Sequence, residues 1–171
     1  MDRPTLQLFE RLESTLEQSV QRQDQLAGLL ERKRLALRQG AVDEMNHLCS
    51  LEGSLVKAIG ELERSRTQLV AALAKLLLPQ AAAPVKMVDL AEALPEPHRG
   101  RLLVTRAKLV EAMTRVQQRS SVVRRASEAL AQHVGGLIRT IGVVSQGGAA
   151  YGQTGRVQAR PSRMSTLNLT A

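Results

Sequence analysis

Apolar residues recur every three or four positions through the first 39 residues, and this spacing predicts a helix over residues 5–39. Steps of three and four residues from Phe9 give nine core positions, and three of these are polar, as in an interrupted coiled coil. Gly40 follows the series and predicts a C-terminal cap, because glycine adopts the left-handed conformation without steric cost. The predicted core positions are Phe9, Leu12, Leu16, Ser19, Gln23, Leu26, Leu30, Lys33 and Leu37.

A second periodic segment predicts a helix over residues 42–78, which Pro79 ends. The connection around Gly40 is short, so we expect the first two helices to fold back as an antiparallel hairpin. The predicted core positions of the second helix are Leu48, Glu52, Leu55, Ile59, Leu62, Arg66, Leu69, Leu73 and Leu76.

A loop rich in proline and alanine, residues 79–86, follows the hairpin. After it come a short amphipathic helix over 87–94, the sequence PEP and a third long helix over 98–144. Periodicity ends at Ser145, and the glycine-rich polar sequence beyond predicts a disordered tail. The predicted core positions of the third helix are Leu102, Arg106, Leu109, Met113, Val116, Ser120, Val123, Ser127, Leu130, Val134, Leu137, Ile141 and Val144.

The third helix is longer than the first two by about ten residues, or roughly 15 Å. If it packs antiparallel to the second helix, its last residues overhang the bundle beyond the turn at Gly40. This overhang carries an apolar stripe and three glycines that weaken the helix, so we expect it to bind a partner. The candidate substrate-binding residues are Leu130, Val134, Leu137, Ile141 and Val144.

Together these elements predict an all-α fold: an elongated antiparallel bundle of three long helices, a coiled-coil-like hairpin plus a third helix, with a disordered C-terminal tail. We assign residues 1–145 to the helical bundle and residues 146–171 to the flexible tail. The composition agrees, because aromatic residues make up only 1% of the chain and Leu, Ala, Glu, Gln, Arg and Val dominate.

The sequence contains no pattern typical of catalysis or metal binding. Phosphate-binding loops and nucleophile elbows are absent, and the three histidines fall on separate predicted segments. We therefore expect a protein that is not an enzyme and needs no cofactor or metal. Cys49, the only cysteine, is expected to be a small, partly buried core residue. Without a signal-peptide pattern or an apolar run long enough for a membrane span, we expect a cytoplasmic protein with no stable membrane insertion.

Charge is distributed unevenly along the chain. Residues 1–97 contain 12 basic and 14 acidic residues, a net charge of −2, whereas residues 98–171 contain 12 and 2, a net charge of +10. A basic half is compatible with nucleic acid, an anionic membrane or an acidic protein partner. No stacking aromatic lies among the arginines, which makes a helical nucleic-acid binder the weaker alternative. A structural coiled-coil adaptor, including a homo-oligomeric one, is the other alternative.

Three segments resemble the FlgN-type flagellar type III export chaperones. The first joins KRLALRQG to a helix with Leu62, Glu63 and Arg66 near its end. The second is DLAEALPEPHRGRLLVTRAKL, residues 89–109, and the third is YGQTG, residues 151–155, which resembles the Y-G-x-x-G element of the family's tail. The likeness covers about residues 5–157. The chain departs from the family at Ala41, where an acidic residue often follows the turn glycine.

The resemblance implies a cytosolic chaperone for the two hook–filament junction proteins. Members of the family bind the C-terminal helical region of these substrates and keep them soluble and unpolymerised. They then dock on the cytoplasmic domain of the export-gate protein. By motif match, Tyr151 is the implied anchor for this docking, with Gly152 and Gly155 shaping the backbone. The resemblance implies no nucleotide hydrolysis and no covalent chemistry.

Overall fold

Four helices make up most of the described chain. The computed structural model describes residues 2–81 and 84–147, with side chains through residue 142. The helices are α1 (Arg3–Gln39), α2 (Val42–Leu77), α3 (Met87–Glu92) and α4 (His98–Gly147). No strand occurs in these residues. The all-α class and the three long helices are therefore confirmed.

Local sequence decides where α1 begins and ends. Pro4 lies in its first turn, where a missing backbone N–H costs no helical hydrogen bond. Gly40 ends the helix in the left-handed conformation, with φ 65° and ψ 25°. The Ala41 N–H then donates to the Ala36 carbonyl at 3.0 Å. This is the cap predicted from Gly40, and it satisfies carbonyls that the helix end would otherwise leave without a partner.

Residues from all four helices form the main hydrophobic core. Phe9 is fully buried, and its ring meets that of His98 edge to face with centroids 4.8 Å apart. The short helix α3 contributes Leu90 and Ala91, both fully buried, so it packs into the core as well as connecting α2 to α4. The core consists of Phe9, Leu12, Leu16, Leu69, Val70, Leu73, Leu90, Ala91, Leu94, Leu102 and Leu109.

α1 and α2 form the predicted antiparallel hairpin. Near the turn, the Lys33 ammonium donates to the Glu52 carboxylate at 2.5 Å. Far from the turn, Leu16 of α1 shares the main core with Leu69 of α2. Residues late in α1 therefore meet residues early in α2, and residues early in α1 meet residues late in α2.

The part of α4 that precedes residue 128 runs alongside α1. Arg101 Nε donates to the Glu13 carboxylate at 2.8 Å. Further along, Arg119 Nη1 donates to the Ala27 carbonyl at 2.8 Å. Because the partner numbers rise together, this part of α4 is parallel to α1 and antiparallel to α2.

The chain divides into two units, one ending at Ser127 and the other beginning at Glu128. The first contains α1, α2, α3 and the proximal part of α4, and the second contains the distal part of α4 through Gly147. The overhang and the domain division at residue 145 stay predictions. Of the predicted tail, residues 148–171 lie outside the described residues.

The buried side of α4 differs from the predicted core positions at Arg106 and Met113. Leu109 is buried as expected, but Met113 is exposed and Ala112 before it is fully buried. Thr105 is likewise buried in place of Arg106, which is exposed. The prediction kept a fixed alternation of three and four residues along the helix, whereas a filled core accepts small side chains where its neighbours already occupy the space.

Two predictions for α2 are also wrong. Cys49 is exposed rather than partly buried. It follows Leu48, which is fully buried, and one helical step of about 100° turns it away from the core. Leu76, predicted as a core position, is exposed in the last turn of α2.

Candidate partner-binding surface

The second unit presents a row of exposed aliphatic side chains. Leu130, Val134, Leu137 and Ile141 are between 45% and 67% exposed. Four of the five predicted substrate-binding residues therefore lie on the protein surface. The side chain of the fifth, Val144, lies outside the described residues.

Ile138 joins this surface although the sequence prediction omitted it. It is also exposed, and Val134, Leu137, Ile138 and Ile141 have the i, i+3, i+4, i+7 spacing of one helix face. The prediction took one residue per turn and so skipped Ile138, whereas counting apolar residues onward from Val134 finds it. We call Leu130, Val134, Leu137, Ile138 and Ile141 the distal apolar face.

Polar groups near this face are few. Arg139 is the only Lys, Arg, Asp or Glu between residues 129 and 147. Its Nε donates to the Gly135 carbonyl at 3.2 Å, and Thr140 Oγ1 donates to the Gly136 carbonyl at 3.1 Å. The surface therefore offers mainly apolar area.

Two arginines in the proximal part of α4 make contacts within the first unit. Arg115 Nη2 donates to Asp24 at 2.7 Å, and Arg119 donates to the Ala27 carbonyl. The hydrogen bond to Asp24 raises the pKa of Arg115, although desolvation acts in the opposite direction, and the charges of Asp24 and Glu111 add to the rise. These contacts favour ion pairing with the acidic first half of the chain over phosphate binding.

Residues 2–81 and 84–147 offer no evident site for metal chemistry, since no three His, Cys, Asp or Glu side chains lie close enough together to hold an ion. No helix in this part of the chain has the length and apolar character needed to cross a bilayer. Other large apolar side chains are exposed in the first unit, but those of the distal face follow one another at the spacing of a single helix face.

Comparison with protein families relates most of the chain to one family. A family model described as FlgN protein matches residues 1–159. The chain belongs to the FlgN family. FlgN proteins are flagellar export chaperones, not enzymes, and the resemblance seen in the sequence is confirmed. No curated protein and no solved structure matches this FlgN chain significantly.

The predicted docking motif falls within the family match. Tyr151, Gly152 and Gly155 belong to residues 1–159, which the FlgN model spans. All three residues lie outside the described residues, so the structure adds no geometry to them. Their role stays a prediction from the motif.

Proposed function

We propose that this FlgN protein is a cytoplasmic chaperone that binds the C-terminal helical region of the hook–filament junction proteins, here called the cargo. Family membership supports chaperone activity in flagellar export. The exposure of the distal apolar face is the single observation that supports the site. Aliphatic side chains at i, i+3, i+4 and i+7 form a surface that an amphipathic cargo helix can cover with its own apolar stripe.

Binding at this face prevents premature assembly because it covers the apolar stripe through which cargo helices would otherwise associate. A large exposed apolar patch promotes association between proteins, and the chaperone removes that patch from solvent. Arg139 is the only charged residue within the distal stretch from 129 to 147, so cargo affinity should not fall steeply with salt.

Delivery uses a different segment, the sequence YGQTG at residues 151–155. Tyr151 supplies an aromatic ring for a pocket on the cytoplasmic domain of the export-gate protein, and Gly152 and Gly155 let the backbone follow the surface. The resemblance of this sequence to the Y-G-x-x-G element of the family's tail supports this role, and residues 151–155 lie within the range that the family model matches. Cargo binding and gate docking are then separable functions of one chain.

Replacing both Leu137 and Ile141 with aspartate tests the cargo site. These side chains are 50% and 67% exposed. Full burial of each is worth about 1.5–3 kcal/mol, so covering their remaining area contributes about 2–3.5 kcal/mol together. The expected loss in affinity is about 25- to 300-fold, before the cost of burying two carboxylates. Calorimetric titration with a purified hook–filament junction protein measures it.

The double variant Val42→Asp with Val104→Asp is the matched control. These valines are 67% and 55% exposed and lie in the first unit, so the control adds the same charge and removes similar apolar surface. It should bind cargo as the wild type does. Wild-type affinity in the Leu137→Asp, Ile141→Asp variant would refute the proposed site.

Tyr151→Ala tests delivery on its own. Loss of an aromatic anchor of at least about 2 kcal/mol should weaken binding to the cytoplasmic domain of the export gate about 30-fold. Cargo affinity should stay at the wild-type value, because Tyr151 is not part of the distal apolar face. Tyr151→Phe keeps the ring and serves as the control. If gate affinity survived in Tyr151→Ala, docking would have to use another segment.

A further inference from the structure

The proximal part of α4 carries more positive charge than its contacts with α1 use. Residues 98–127 contain eight Lys and Arg and one Asp or Glu, a net charge of +7. Contacts with α1 use three of these basic residues, which are Arg101, Arg115 and Arg119. Pairing with the acidic first half of the chain therefore accounts for only part of the basic character of α4.

Arg99 and Arg106 take no part in these contacts. Both side chains are exposed, and neither makes an ion pair or a side-chain hydrogen bond with another described residue. They are seven residues apart, which places them on the same side of α4, separated by about 10 Å along the helix axis. Two cations without a partner among the described residues therefore lie one above the other on this helix.

Two exposed apolar side chains continue the same side of α4. Val110 is 48% exposed and Met113 is 51% exposed. At about 100° per residue, Arg99, Arg106, Val110 and Met113 lie within about 60° of one another around the helix. We call these four residues the mixed strip, which is about 21 Å long and lies in the first unit. The strip joins two cations at one end to apolar area at the other.

The composition of the mixed strip favours an acidic protein segment over nucleic acid and over a membrane surface. A phosphate backbone would meet the arginines but would gain nothing from Val110 and Met113, and no Phe, Tyr or Trp occurs in α4 for a base to stack on. A helix that lies in a membrane interface needs a broad apolar face, whereas two side chains give a narrow one. An acidic amphipathic helix uses both ends of the strip, because its carboxylates pair with the guanidinium groups while its apolar residues cover the other end.

We propose that the mixed strip is a docking surface for an acidic amphipathic helix of a partner protein. Charge complementarity sets the register: the helix carries two carboxylates one heptad apart, opposite Arg99 and Arg106, and apolar residues opposite Val110 and Met113. Each guanidinium group holds its carboxylate with paired hydrogen bonds. Met113 has a flexible, polarisable side chain that adapts to the apolar residues it meets. This inference does not rest on the cargo site, because the strip lies in the first unit and the distal apolar face lies in the second.

Synthetic helical peptides of about 20 residues test the proposal with the full-length chain. One peptide carries two glutamates a heptad apart, followed by two leucines at the spacing of Val110 and Met113, and a second has the reverse order for antiparallel docking. Calorimetric titration at constant ionic strength measures the affinity. The Arg99→Gln, Arg106→Gln variant should bind the better peptide about 3- to 30-fold more weakly, the range expected when two exposed ion pairs are lost.

Val110→Thr combined with Met113→Gln tests the apolar end while keeping the net charge and similar side-chain shapes. Because the exposed half of each side chain is no longer covered by apolar contact, peptide affinity should fall about 5- to 50-fold. Arg11→Gln combined with Arg64→Gln is the matched control for charge, since it removes two exposed arginines from α1 and α2. This control should bind the peptide as the wild type does.

Charge reversal separates specific pairing from general attraction to a basic chain. The Arg99→Glu, Arg106→Glu variant should lose the glutamate peptide and should bind a peptide with lysines in place of the glutamates. Such a rescue also shows that the variant folds. Loss without rescue would overturn the assigned pairing. Wild-type affinity in the Arg99→Gln, Arg106→Gln variant would overturn the proposal, as would failure of the wild type to bind either glutamate peptide.

Duplex DNA and vesicles of anionic phospholipid are titrated against the same chains. If either of them binds the wild type and loses affinity in Arg99→Gln, Arg106→Gln while the peptides do not bind, the partner is not an acidic helix and the proposal fails.

The Leu137→Asp, Ile141→Asp variant separates this inference from the proposed function. It should bind the glutamate peptide as the wild type does, because the mixed strip is intact. Loss of the peptide in this variant would place the peptide on the distal apolar face and overturn the inference. Wild-type cargo affinity in the same variant would refute the proposed cargo site and leave the docking surface standing.

Discussion

The ion pair between Arg101 and Glu13 joins α4 to α1 and predicts a measurable cost when it is broken. Arg101 donates two hydrogen bonds to the Glu13 carboxylate, one of them from Nε at 2.8 Å. Its guanidinium also lies 5.8 Å from the centre of the Phe9 ring. The Glu13 side chain is 11% exposed, whereas that of Arg101 is 51% exposed. Arg101→Met keeps an unbranched stem but leaves a nearly buried carboxylate without its cation.

The expected loss of folding stability in Arg101→Met lies between two limits. Removing one partner of a buried pair costs about 3–5 kcal/mol, whereas an exposed pair is worth about 0–1 kcal/mol. Water reaches the arginine but hardly reaches the glutamate, which places this pair between the limits. The cation–π contact with Phe9 adds at most about 1 kcal/mol. We therefore expect a loss of about 1.5–3 kcal/mol, or about 4–10 °C in Tm for a chain of this length.

Urea unfolding followed by circular dichroism measures the loss. Glu13→Leu combined with Arg101→Met should be more stable than Arg101→Met alone, because it removes the carboxylate that the single variant leaves unpaired. Arg11→Met, at an exposed position of α1, is the control and should stay within about 0.5 kcal/mol of the wild type. A loss below about 0.5 kcal/mol for Arg101→Met would refute the reasoning, as would a double variant less stable than the single one.

Two further predictions concern the α1–α2 hairpin. Gly40→Ala should cost about 1–2 kcal/mol in urea unfolding because φ is 65°, whereas Gly53→Ala within α2 should stabilise by up to about 1 kcal/mol. The prediction would be contradicted if both variants raised the free energy of unfolding or both lowered it. Burial tends to lower the pKa of Lys33, but the hydrogen bond and charge of Glu52, with Cys49, raise it above 10.5. The stabilisation that this raised pKa gives is complete below about pH 10.5 and is lost as the pH rises through the folded-state pKa. The difference in unfolding free energy between the wild type and Lys33→Met should therefore narrow over that pH range. A difference in unfolding free energy that stays constant into strong alkali would exclude the raised pKa of Lys33.

The ends of the long helices were predictable from sequence because single residues decide them locally. Gly40 ends α1 through its own left-handed backbone, and Pro79 lies just beyond the end of α2. Proline and glycine act through backbone conformation, which changes little with tertiary surroundings. The predicted and observed limits of α1, α2 and α4 therefore differ by no more than about three residues.

The buried side of α4 could not be predicted in the same way, because it depends on the space that α1 and α2 leave. Ala112 and Met113 are adjacent, and hydrophobicity alone favours the wrong one. The distal apolar face was mostly predictable, since its periodicity is visible without a partner.

The exposure of Cys49 gives the natural sequence a single thiol that reagents can reach. No other cysteine occurs in the chain, so a maleimide fluorophore would label one known position on α2. That position lies in the first unit, whereas the distal apolar face lies in the second. The Leu137→Asp, Ile141→Asp variant, its Val42→Asp, Val104→Asp control and Tyr151→Ala could all carry the same reporter without engineered cysteines. Anisotropy titrations with cargo and with the export gate would then be directly comparable across the whole series.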